Sequence, residues 1–143
     1  MISDAIFAAY NEAHNRGWNK IYWAIDIHNT IADSNYKNNM PDVIDEAMVT
    51  LKDLKKYPET VLILFSSCYP ASYDAYIKNF AKYGVNFDYF NENPLVSNTE
   101  TGDFSKKFYF NIILEDKAGF IKKDWEIILP TVEIARKSIC IEK

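Results

Sequence analysis

Three short apolar runs break off abruptly at polar residues, and this pattern most constrains what the chain can fold into. IYWAI (21–25) stops at Asp26, VLILF (61–65) at Ser66 and Ser67, and FNIIL (110–114) at Glu115 and Asp116. None of the three alternates apolar with polar residues. A run of this kind fits a parallel strand covered on both faces, where each side chain meets a packed layer. NFDYF (86–90) is a weaker strand of the same type.

Helical patterns separate the runs. Ser3 is placed to cap a helix over about 3–16, with Ile6, Phe7, Tyr10 and His14 near helical spacing and Gly17 to stop it. A polar stretch (33–40) leads to Pro41, read as a first-turn residue. The helix after it carries Val43, Ile44, Ala47, Met48, Leu51 and Leu54 on one face and ends before Pro58. Further helices are predicted over about 71–83 and 124–139, with 91–106 as loop. The order β-α-β-α predicts an α/β domain: a three-layer, Rossmann-like parallel sheet with helices on both faces. Residues 1–143 are expected to form one such domain.

Composition narrows the function classes. Apolar residues make up 48% of 143 positions, enough for one sizeable core. Sixteen Lys and Arg against twenty Asp and Glu leave a net charge of −4, so extended nucleic-acid binding is not expected. Cys68 and Cys140 have no metal-type spacing and read as reduced thiols of a cytoplasmic protein. With only His14 and His28 present, a His-rich zinc site is not expected either. The first residues lack the basic start and apolar run of a signal peptide, and no window is apolar enough to span a membrane.

Parallel sheets bind ligands beyond the carboxyl ends of their strands. Asp26, Ser66 and the pair Glu115–Asp116 therefore converge on one place. Carboxylates so grouped suit a hard divalent cation such as magnesium, and a carboxylate beside a cation can also act as a nucleophile. The Ser66 hydroxyl can bond a phosphoryl oxygen, with Ser67 as its neighbour. Lys107 can neutralise phosphate and nucleophile together. Each has a plainer reading: Asp26 as a turn residue, Ser66 as a helix cap, Lys107 as half of a solvated pair with Lys106. The tyrosines at 69, 73, 76 and 83 read as core or helix surface rather than a stacking platform.

The same residues carry a resemblance. AIDIHNTIADS (24–34) resembles the first motif of haloacid dehalogenase (HAD) superfamily phosphatases, an apolar strand followed by D-x-D-G-T-L-x-D-S. LILFSS (62–67) is similar to the second motif, and KFYFNIILEDKAGF (107–120) to the compact third and fourth motifs, K-P-x-x-D-x-x-x-D-D-[RK]. Together they cover roughly residues 20–130. EDKAGF followed by DWE is also weakly similar to small 5′(3′)-deoxyribonucleotidases. The resemblance implies a magnesium-dependent phosphomonoester hydrolase, possessing nucleotidase-like activity in one version, that works through an aspartyl-phosphate on Asp26. It implies phosphate held by Ser66, Ser67 and Lys107, and metal held by Asp26, Glu115, Asp116 and the His28 carbonyl.

Two positions depart from the motif. His28 stands where the family carries its acid/base Asp, and Asn29 where it carries Gly. Asn tolerates positive φ better than other non-Gly residues. An imidazole can do acid/base work near neutrality. Where it does not, the alternatives are a non-catalytic phosphoryl-ligand or protein-binding module, or a transfer reaction through a long-lived phospho-enzyme. Neither gap between the motifs is long enough for a separate cap domain. Such an open site is expected to take a phosphorylated small molecule or an exposed phosphate on a larger substrate, or to borrow a lid from a second copy in a homo-oligomer.

Overall fold

The computed structural model describes residues 1–37 and 39–139. Four parallel strands form the central sheet: β1 (Ile21–Asp26), β4 (Thr60–Phe65), β5 (Tyr89–Phe90) and β6 (Ile112–Leu114), in the order β5-β4-β1-β6. β1 is central, with Asp26 level with Phe65 of β4, and Ile25 level with both Leu64 and Leu114. The topological switch point thus falls at β1, where the chain first goes to one side and later to the other.

Strand alternation divides the core in two. Ile21, Trp23 and Ile25 of β1, Leu62 and Leu64 of β4, and Ile112 and Leu114 of β6 face the helices. Those are α1 (Ile2–Arg16), α2 (Asp45–Leu54), α3 (Tyr73–Ala81) and α4 (Trp125–Ser138), and α4 packs on both α1 and α2. The alternate positions, Ala24, Val61 and Ile63, form a second cluster with Phe108, packed by Tyr22, Tyr89, Phe110 and Ile113. No helical residue belongs to it. The architecture is Rossmann-like and three-layered, and the irregular segment 91–111 supplies the third layer where helices were expected. Its sequence explains how: KFYF (107–110) brings large rings that bury apolar sheet without needing a helix.

The first gap also differs from expectation. Residues 33–37 and Met40 are strand rather than loop, and Pro41 does not start a helix. Strands β2 (Ala32–Lys37) and β3 (Met40–Val43) pair antiparallel as a two-stranded hairpin, with Pro41 level with Tyr36. An isolated two-stranded ribbon leaves outward-facing N–H sites that Pro can occupy without losing a ladder bond. α2 begins four residues after Pro41, at Asp45. Helix α1 starts at Ile2, ahead of Ser3, and ends at Gly17, whose φ of 70° is the left-handed closure expected of it. Among the described residues no separate cap domain interrupts the core.

A polar cluster around Glu59 joins distant segments within the core. Glu59 and Arg136, 6% and 3% exposed, form an ion pair, and the Tyr10 hydroxyl donates to Glu59 Oε2 at 2.7 Å. Of the cysteines, Cys68 is a free thiol and Cys140 lies outside the described residues. No helix among the described residues is long and apolar enough to cross a membrane.

Candidate phosphoryl and metal site

β1 delivers Asp26 to the carboxyl end of the sheet, and the turn after it holds the side chain still. The N–H groups of Ile31 and Ala32 both donate to the Ile27 carbonyl, each at 3.0 Å. Asn29 sits inside this turn at φ 61°, the left-handed conformation expected where the resembled motif carries Gly. The Asn29 N–H donates to the Ala32 carbonyl at 2.7 Å. The turn brings Thr30 back over Asp26, and its Oγ1 donates to Asp26 Oδ2 at 3.2 Å. Thr30 is therefore an anchor of the site.

Glu115 and Asp116 follow β6 directly. Glu115 opens a short 3-10 turn (Asp116–Ala118), its Oε1 accepting from the Lys117 N–H at 3.1 Å. Asp26, Glu115 and Asp116 each offer a carboxylate oxygen, and the three atoms lie within 4.8 Å of one another. Burial pushes the Asp26 carboxyl up to about 6. The Glu115 and Asp116 charges push the same way, against the donors Ile27 N–H and Thr30 Oγ1. Asp116 is held below the usual carboxylate range, first by a hydrogen bond shared with the Glu115 carboxyl.

The donor set fits magnesium on this geometry. It consists of hard oxygens, with neither thiol nor imidazole, and the repulsion within it is what a divalent cation would relieve. Asp26, Glu115 and Asp116 are the side chains that would hold it.

Asp26 and Glu115 also line a cleft of about 850 Å³, shared with Ser66, Ser67, Lys106 and Lys107. Ser66 is fixed from behind by Asn91. Asn91 Oδ1 accepts from the Ser66 N–H at 2.9 Å, and Asn91 Nδ2 donates to the Ser66 carbonyl at 2.6 Å and to Tyr73 Oη at 2.8 Å. Ser66 Oγ accepts from the Cys68 N–H at 3.3 Å, so its hydroxyl closes a local turn rather than capping α3. Lys107 Nζ lies 5.6 Å from the centre of the Phe110 ring, at the cleft wall.

The chain is similar to a solved structure of a conserved protein from Bacteroides thetaiotaomicron, with a TM-score of 0.64 and 26% identity. The match covers 87% of this chain and 100% of that one. It supports the Rossmann-like fold, and its description carries no activity. Neither a family model nor a curated protein matches the chain.

The structure thus gathers Asp26, Ser66, Ser67, Lys107 and Glu115 around one cleft, with Asp116 in the acidic group beside it. His28 lines an adjoining recess with Met40, Tyr69 and Tyr76, and this recess meets the main cleft at Ser66 and Ser67. Its ring meets Tyr76 edge-on, with centroids 6.3 Å apart at 85°. Of the tyrosines, Tyr76 is core, and Tyr69 and Tyr83 are exposed.

Sequence reading passed over Asn91, Phe65, Phe108 and Phe110. Asn91 had a signal: it is the polar residue ending a strand, as Asp26 and Ser66 are, and it carries φ 54°. The aromatic residues had none, because a ring in an apolar run reads as core filling wherever it points.

Proposed function

We propose that the chain is a magnesium-dependent phosphomonoester hydrolase of the haloacid dehalogenase type, with Asp26 as nucleophile. The observation that carries this reading is the Asp26–Glu115–Asp116 group, its oxygens within 4.8 Å, opening onto a cleft that also holds Ser66 and Lys107. Acid trio, hydroxyl and ammonium are the parts a phosphoryl-transfer site needs. When bound, the cation would neutralise phosphoryl charge. Ser66 donates to a phosphoryl oxygen, with its backbone pinned by Asn91. Lys107 balances the charge of phosphate and carboxylate. Asp26 forms the aspartyl-phosphate, which water then opens. In this reading the His28 carbonyl would join Asp26, Glu115 and Asp116 in holding the metal, and its imidazole stands in for the family's acid/base Asp.

A second reading is supported by the place of His28. His28 lines the adjoining recess and meets Tyr76 edge-on, and this favours a phosphoryl-binding module without turnover. Aryl-phosphate hydrolysis, with and without magnesium, separates the two. The hydrolase reading expects turnover that needs magnesium, falls by several orders of magnitude in Asp26→Asn, and falls about 10²–10⁴-fold in His28→Ala. His28→Asp should retain or raise it. An inert parent together with an active His28→Asp variant establishes the binding module instead.

A further inference from the structure

Resting on the phosphoryl-transfer reading, we propose that the cleft receives a phosphomonoester whose ester oxygen carries a planar aromatic ring, held by Phe65 and Phe110 with the buried Phe108 packed behind them. Strand β4 is buried from Thr60 to Leu64, and its burial breaks only at Phe65, which is 38% exposed. Phe65 shares that cleft with Phe110, and apolar rings beside a few convergent polar groups are what a small-molecule site offers. Phe65 meets Phe108 edge-on at 5.9 Å and 67°, and Phe108 meets Phe110 at 5.8 Å and 65°. The successive tilts make a stepped aromatic wall, a geometry that accepts a further flat ring by stacking or edge contact.

The wall lies close to the phosphate-binding groups. Phe65 immediately precedes Ser66, and Phe108 immediately follows Lys107. All of these residues line the same cleft, so the rings and the phosphate-binding groups face one ligand space. Lys106 and Lys107 at the same wall supply the charge that a phosphate dianion needs.

Leaving-group chemistry points the same way. A phenol ionises near pKa ~10, far below an alkanol, so the first step leans less on a proton donor than alkyl-ester cleavage does, and the acid/base demand on His28 falls mainly on the second step. In the first step an Asp26 oxygen bonds to phosphorus and the aryl-oxygen–phosphorus bond breaks. The electron pair leaves on the phenolate, which takes a proton from solvent. Water then adds to phosphorus, releasing inorganic phosphate and the Asp26 carboxylate, with one proton passing through His28 to solvent.

The test compares phenylphosphonate with cyclohexylphosphonate, matched in size but differing in planarity, by calorimetry with magnesium, using inorganic phosphate as reference. Phenylphosphonate should bind about tenfold tighter. In Phe65→Leu and separately in Phe110→Leu, each checked for folding by its urea midpoint, the ratio should collapse toward one. Equal affinities in the parent overturn the inference, as does faster turnover of nucleoside monophosphates than of phenyl phosphate. A ring preference in binding with no turnover of any phosphate ester overturns the hydrolase reading and leaves aromatic recognition standing. Turnover of small phosphates without a ring preference does the reverse.

Discussion

The indole Nε1 of Trp125 donates to the backbone carbonyl of Thr30 at 3.0 Å, a buried hydrogen bond between residues 95 positions apart. Thr30 in turn donates to Asp26. The first turn of α4 therefore braces the loop that carries the proposed nucleophile, and packing of the C-terminal helix is coupled to site geometry.

Trp125→Phe keeps most of the ring volume and removes the donor, leaving the Thr30 carbonyl buried without its partner. A loss of about 1–3 kcal/mol is expected in urea unfolding. Trp125→Ala adds a cavity and should cost about 3–5 kcal/mol. Turnover by the Phe variant, measured where it remains folded, should fall as well, since Thr30 then orients Asp26 less firmly.

The raised carboxyl of Asp26 makes the metal-free protein pH-sensitive. Its folded value, about 6, lies above the ordinary value of 3.8. The stability from this group is thus fully present below pH ~4 and is lost as pH rises through about 6. The group is half-buried, and after solvent screening the loss should be about 1–2 kcal/mol. With chelator present, Asp26→Asn should exceed the parent in urea midpoint at pH 8 by that amount, with the advantage vanishing at pH 4.

Magnesium should reverse the same penalty. At a hundredfold excess over its dissociation constant it should stabilise the parent by about 2.7 kcal/mol, read as a rise in melting temperature. The rise should shrink at pH 5, where a proton competes for Asp26, and disappear in Asp26→Ala. Absence of any shift in the parent at pH 8 would contradict the metal site.

Asn91 is a positioning residue: it touches the Ser66 backbone rather than the proposed substrate. Asn91→Ala removes its bonds to Ser66 and Tyr73 and places a residue less tolerant of positive φ at 54°. A cost of about 2–3 kcal/mol is expected. In steady-state kinetics KM for phosphate esters should rise more than kcat falls, because the phosphate-holding turn loosens while Asp26 stays in place.

Strand ends were legible because a fully buried parallel strand must be apolar throughout and must stop where the ligand-binding edge begins. That rule picks out Asp26, Ser66, Glu115 and Asp116 from one sequence. It also reaches Asn91, had NFDYF been treated as equal to the longer runs. The β2–β3 hairpin was hidden. ADSNYK lacks strand formers at regular spacing, and Pro41 ahead of an apolar helical face looks like a first-turn residue until its antiparallel partner is seen.

By itself the sequence determined the parallel α/β architecture and the residue types at the strand ends, which follow from local burial patterns, and the left-handed turn at Asn29 was legible only through the resemblance, which puts Gly there. Only the tertiary structure decided which face of the sheet went without helices, which rings turned to the cleft and where His28 lies. Those outcomes depend on packing between segments far apart in the chain. Trp125 meets Thr30, Arg136 meets Glu59 and Phe108 meets Phe65. No residue's own neighbours in sequence carry the energy of such contacts.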